Sequence, residues 1–165
     1  MEVDEKQLRF ISGLQRNEFF STAGAAGLCA AKNGEEFGCE VTVFEQTENV
    51  GGTWVYTDDV GKDKNGLDVH SSMYQGLFTN LPKEIMGYPD FPIPEQNKSY
   101  ISSTDMLSFL NSYAEKFNLH RFIKLEHHVI RVRPMLNNEW EVIVKNFPQD
   151  KYCLLYTSPS PRDRQ

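Results

Sequence analysis

Long hydrophobic runs are missing from this chain. No stretch approaches the ~20 consecutive apolar residues that a membrane-spanning helix requires. The opening "MEVDEKQLRF" is acidic and polar, unlike a secretory leader. Cysteine is scarce: Cys29, Cys39 and Cys153 fall at no metal-ligand spacing and form no disulfide framework. Free thiols fit a reducing, intracellular compartment. Positive charge is short as well, with 17 Lys and Arg against 23 Asp and Glu, for a net charge of −6. No basic patch interleaves with aromatics, so neither nucleic acid nor an acidic membrane surface is the expected partner. His70, His120, His127 and His128 lack the i, i+4 pairing with a carboxylate that metal sites display, and surface or strand-packing roles are expected for them. With 165 residues there is room for one ordinary domain.

What is present begins with "FFSTAGAAGLCAAKNG", residues 19–34. Glycine-rich strand-to-helix turns that hold a nucleotide usually run G-x-G-x-x-G, the first glycine making the tight bend. Here Thr22 takes that first place, followed by Gly24 and Gly27. A β-branched residue is stiff, and a positive φ there would be an outlier. The expectation is therefore that Thr22 disturbs the turn. "AAGLCAAKN", residues 25–33, is rich in helix formers, and Gly34 is expected to close the helix. "CEVTVFEQ", residues 39–46, is a compact β-branched and aromatic strand that carries Glu45 about 20 residues after the glycines. An acid there can accept from both hydroxyls of an adenosine ribose. Gly24 lets backbone approach a pyrophosphate, and Gly27 permits close helix–strand packing.

Both ends look foreign to this unit. A buried parallel strand should be rich in Val and Ile, yet "LQRNEFFS" precedes the turn and only Phe19 and Phe20 fit. The closing "CLLYTSPSPRDRQ" looks like one reading frame of a sequencing-library adapter rather than a native Ser/Pro tail. Between these ends, "DDVGKDKNG" is expected as a solvated loop and "YPDFPIP" as an extended one. "SSTDMLSFLNSYAEKFNL" predicts a helix capped by Ser103, with Met106, Phe109, Leu110, Tyr113 and Phe117 as its core stripe. "HHVIRVRP" and "EWEVIVKN" predict a β-hairpin turning at 136–138.

"TAGAAGLCAAKNG", "VTVFEQTENVGGTW" and "LFTNLPKEIMGYPDFPIP" together resemble the flavin-containing monooxygenases, in that family's order and spacing. The resemblance covers roughly residues 22–152 and implies an α/β fold: an incomplete, Rossmann-like FAD-binding domain followed by a β-hairpin. Residues 1–21 are then expected to be mis-joined or non-native, and 153–165 an adapter-derived tail. Carried over by position, Ala23, Gly24, Ala25, Ala26 and Gly27 would form the pyrophosphate turn, and Glu45 would bind the ribose. Gly51 and Gly52, with Thr53 and Trp54 beside them, would bring backbone amides against FAD. Thr79, Asn80 and Leu81 match the segment along the flavin and nicotinamide.

Asn80 would be the catalytic amide beside a C4a-hydroperoxyflavin, although without the family "NLP" reads as a plain turn. The implied reaction is an NADPH-, FAD- and O₂-dependent oxygenation of a small amine or sulfide. The second glycine-rich motif expected for NADPH does not occur, so this chain alone is expected to be inactive. The family also implies a cytoplasmic or endoplasmic-reticulum-associated location, with membrane association of the full protein left open. Two alternatives remain: another FAD-dependent oxidoreductase, which would share the turn and Glu45 but not "TNLPKE" followed by "PDFP", and an inert nucleotide-binding fragment.

Overall fold

The computed structural model describes residues 18–69, 71–136 and 140–157. Strands β1 (Glu18–Ser21), β2 (Glu40–Phe44) and β3 (Ile123–Lys124) form a parallel sheet in that order. The β1–β2 register runs from Glu18 opposite Glu40 to Ser21 opposite Val43. A strand thus exists where the sequence is poor in Val and Ile. It is only four residues long, and the half-buried Phe20 packs its ring 5.6 Å from that of Phe44. Residues 1–17 of the suspected N-terminal segment lie outside the described residues.

Helix α1 (Ala25–Glu36) connects β1 to β2. It outruns the expected stop at Gly34, which is buried inside the helix. The closing glycine is Gly38, whose φ of 75° is the left-handed conformation that other residues avoid. Thr22 is not among the residues with positive φ. The turn therefore carries the threonine without left-handed strain.

Helix α2 (Ser103–Lys116) lies against α1 and the sheet. Its cap is Ser102, one residue earlier than expected. Asp105 N–H donates to Ser102 Oγ at 3.1 Å, and Ser102 N–H donates to an Asp105 carboxylate oxygen at 3.3 Å. Such a reciprocal box needs an acid three residues after the cap, and only Ser102 has one. The buried stripe is Met106, Phe109, Leu110, Tyr113 and Ala114, with Phe117 half-buried at the helix end.

The proline-rich segment 88–94 is a clamp rather than a mere connector. Tyr88 and Phe91 pack on Phe109, Tyr113 and Phe117. The Tyr88 hydroxyl donates to the Ala25 carbonyl at 2.7 Å, and burial pushes the phenol up to about 12. The neighbouring Tyr113 hydroxyl is buried beside Cys29, with no oxygen or nitrogen partner among the described residues.

A second sheet, antiparallel, contains β4 (His127–Pro134), β5 (Trp140–Asn146) and β6 (Lys151–Thr157). β4 and β5 pair as expected of a hairpin; residues 137–139 lie outside the described ones. β6 was not expected. Cys153–Thr157, set aside above as tail, pair with β5. Cys153 and Leu155 turn toward a small core with Phe44, Val142 and Val144, while Tyr152 and Leu154 stay exposed. That period-2 alternation fits a half-buried edge strand. Glu141 sits 5% exposed on this sheet, held 2.9 Å from an Arg131 guanidinium nitrogen and 2.8 Å from Arg133 Nε.

Candidate functional site

The helix α1 begins at Gly24 with no side-chain cap and no acid in its first turn. Among the described residues no side chain caps its leading amides, at the end of the helix where the dipole favours an anion. Gly27 explains how the helix sits so close. A Cβ there would fall 1.9 Å from the Thr22 carbonyl oxygen. Nothing but glycine fits.

The Gly51–Gly52 turn closes onto this helix start. Gly51 N–H donates to the Ala23 carbonyl at 2.9 Å, and the two glycines have φ of 133° and 56°. A Cβ on Gly52 would lie 2.9 Å from Gly24 Cα, and one on Gly51 would strike Leu107 of α2. Gly52 thus packs backbone against the Gly24 backbone, while the bare Gly51 leaves room for the Leu107 side chain. Thr53 is exposed and Trp54 half-buried against the main core.

Glu45 follows the last residue of β2 and is 6% exposed. Its Oε1 accepts from the Thr47 amide at 3.0 Å and the Thr47 hydroxyl at 2.9 Å. Its backbone is tied to the β3–β4 connection: Glu45 N–H donates to Lys124 O at 3.0 Å, and His127 N–H to Glu45 O at 2.8 Å. A buried carboxylate is thereby fixed in orientation before any ligand arrives.

Between these elements runs an open groove of about 690 Å³. Gly24, Gly52 and Thr53 line one part of it, and Glu45, Thr47 and His127 another. Thr22 lines it as well. Ala23, Ala25, Ala26, Gly27, Gly51 and Trp54 flank these lining residues along the chain and do not line the groove themselves. The loop expected to be merely solvated supplies an entire side, including Asp59, Asp63 and Lys64. No motif marks that loop; its role follows only from where the chain returns. Thr47 was not singled out in the sequence, where its one signal is a hydroxyl two residues beyond Glu45, and His127 was expected only in a surface or strand-packing role.

Thr79, Asn80 and Leu81 are not brought to this groove. Thr79 is buried, and its hydroxyl accepts from the Ile101 amide at 3.2 Å. Asn80 and Leu81 are exposed beside it. Among the described residues, no group of His, Cys, Asp and Glu could hold a metal ion, and no helix is long and apolar enough to cross a membrane.

A parallel strand–helix–strand with a bare glycine turn at the helix start and an acid at the second strand's end defines a dinucleotide-binding α/β unit. Comparison with known proteins narrows the class. The family model described as flavin-binding monooxygenase-like matches residues 20–153, and the chain belongs to that family. It is 42% identical over 132 residues to the flavin-containing monooxygenase FMO GS-OX4 of Arabidopsis thaliana, covering 73% of this chain and 28% of that protein. A putative relative from the same plant, FMO GS-OX-like 11, is 39% identical over 125 residues, which are 68% of this chain and 74% of that one. Among solved structures, S-allyl-L-cysteine S-oxygenase from Allium sativum superposes with a TM-score of 0.77 at 30% identity, over 89% of this chain and 36% of that one. The fold also matches Tmm from Pelagibacter sp. strain HTCC7211, with a TM-score of 0.75 at 24% identity over 86% and 34% of the two chains. The chain thus spans under a third of the length of the first of these curated relatives.

Proposed function

We propose that this chain is the FAD-holding N-terminal part of an NADPH-dependent monooxygenase that oxygenates soft nitrogen or sulfur nucleophiles. The observation that carries this is the Gly24–Gly52 contact at the uncapped start of α1, opening on a groove that also contains the oriented Glu45. FAD fits such a donor set. Its pyrophosphate would take the amides of Ala25, Ala26 and Gly27, with Ala23 and Gly51 holding the turn together. Gly52, Thr53 and Trp54 would continue the wall, and Glu45 would accept from the ribose diol.

When bound, the flavin supplies hydride acceptance, oxygen activation and transfer of one oxygen atom to substrate. The protein's own residues bind, orient and exclude water. Asn80, exposed beside the buried Thr79, is the proposed catalytic amide: its side chain both donates and accepts, as stabilising a reacting oxygen requires. Thr79 and Leu81 would hold that amide in place. Sulfur as the substrate atom is supported by the likeness to the Allium sativum protein, an S-oxygenase of S-allyl-L-cysteine. Small amines or sulfides and O₂ are the proposed partners.

FAD binding is the test. Titrating the purified chain with FAD is expected to quench flavin fluorescence to a stoichiometric end point, while NADPH oxidation stays at the free-flavin background. Unquenched fluorescence at saturating protein overturns the proposal. Turnover above background overturns the division of labour within it.

A further inference from the structure

The groove's outer side is closed by a self-locked turn, residues 61–69. Asp63 accepts from the amides of Asn65 and Leu67 at 2.8 and 2.9 Å. Val69 N–H donates to Gly61 O at 3.0 Å, and Lys62 pairs with Asp68 at 2.5 Å. Gly61 and Gly66 take the left-handed conformation that the two bends need. The turn is thus held in shape by itself. Among the described residues, one of its side chains reaches across by ion pairs to the far segments of the groove.

That side chain is Lys64. Its Nζ lies 2.6 Å from Glu48 Oε2 and 3.0 Å from Glu126 Oε1. Glu48 stands three residues past Glu45, and Glu126 lies in the β3–β4 turn immediately before His127. One ammonium therefore joins the tip of the turn to both segments that pin Glu45. Among the described residues, the groove's lining contains five carboxylates, those of Glu45, Glu48, Asp59, Asp63 and Asp68, and no Lys or Arg other than Lys64. Removing the ammonium would leave Glu48 and Glu126 facing each other's charge across the mouth.

We infer that Lys64 is a positioning residue that latches the 61–69 turn across the adenosine end of the groove and sets how quickly a bound dinucleotide leaves. This rests on the FAD-binding proposal above. Lys64 and Glu48 are 56% and 62% exposed, so the latch is screened by salt and opens readily. A buried pair would be a wall; an exposed one is a catch.

The test uses the 165-residue chain loaded with FAD, chased by dilution, with release followed as recovery of flavin fluorescence. Lys64→Met and Glu48→Gln/Glu126→Gln are each expected to release FAD roughly two- to fivefold faster than wild type, the range of exposed ion pairs. Lys64→Arg restores the slow rate. Salt at about 0.5 M shortens the Debye length to roughly 4 Å, from about 10 Å at 0.1 M, and speeds wild type but not Lys64→Met. If Lys64 instead held a phosphate directly, Glu48→Gln/Glu126→Gln would slow release, and that overturns the latch. Trypsin supplies a flavin-free arm: cleavage after Lys64 is expected to be faster in Glu48→Gln/Glu126→Gln than in wild type, and equal rates overturn the latch. A wild-type chain that holds FAD and releases it at the same rate in every variant overturns the latch alone. A wild-type chain that holds no FAD overturns the functional proposal, and with it the latch's role in release.

Discussion

Gly27→Ala is the sharpest perturbation of the dinucleotide turn. The added Cβ would fall 1.9 Å from Thr22 O and 2.6 Å from Thr22 C, where ordinary contact starts near 3.4 Å. Relief demands 3.4 − 1.9 = 1.5 Å of separation between α1 and the turn, and the obstacle is backbone. Overpacking of this kind costs about 1–3 kcal/mol, against at most about 1 kcal/mol gained by alanine's helix propensity. Because the obstacle is backbone, the upper end of that range applies, and the net loss of about 2 kcal/mol corresponds to roughly 4–8 °C in Tm for a chain of this size. The same shift withdraws the leading amides from a bound anion, and each charge-assisted bond contributes about 1.5–3 kcal/mol, so FAD affinity should fall by about tenfold or more. Gly24→Ala is the control, because its Cβ meets only Gly52 Cα at 3.7 Å. Thermal unfolding should leave Gly24→Ala near wild type and lower Gly27→Ala. Equal Tm and equal FAD affinity for Gly27→Ala and wild type would refute the close-packing account.

Ser102→Ala removes the cap of α2 and should destabilise the chain by about 1 kcal/mol, read by denaturant midpoint; an unchanged midpoint means the box contributes nothing. Thr22→Gly should not raise Tm, since Thr22 has no positive φ to relieve; a higher Tm in thermal unfolding would revive the idea of a strained turn. In an enzyme extended to its relatives' length, Asn80→Ala should cut substrate oxygenation while NADPH consumption continues with peroxide release, the loss of one donor being worth about 2.7–4 kcal/mol at the reacting oxygen; unchanged coupling would make Asn80 a plain turn residue. The hydrogen bond from Arg133, with the charge of Arg131, holds Glu141 below the usual carboxylate range. Its contribution to stability is therefore complete above the unfolded value of about 4.3 and fades as pH falls below it. Glu141→Gln should flatten acid unfolding in that window, and identical acid titrations would deny the pair a role.

The glycine turn, α1, β2 and Glu45 were legible because each announces itself within a few residues: bare glycines, helix formers, a β-branched run. The stripe of α2 was legible too, through its 3.6-residue period. Ser102 was missed for Ser103 because two adjacent serines compete, and only the position of Asp105 decides between them. Cys153–Thr157 of β6 were set aside because the likeness to an adapter reading frame speaks to origin, while pairing depends on alternation, and Cys153 and Leu155 alternate adequately. The 61–69 turn was invisible as a groove wall for a different reason. Its acidic, glycine-containing sequence dictates a bend, but where the bend lands is set by Glu48 and Glu126, far from it along the chain.

β2 has a consequence for how the molecule comes apart. Val41 and Val43 face the cluster built on α1 and α2, while Phe44 belongs to the cluster under the antiparallel sheet. One five-residue strand therefore supplies both hydrophobic clusters. Neither can open without stripping a face from the strand that supports the other, so the halves are bound to melt together rather than in turn. The amides of β2 should accordingly exchange with solvent only when the entire chain unfolds.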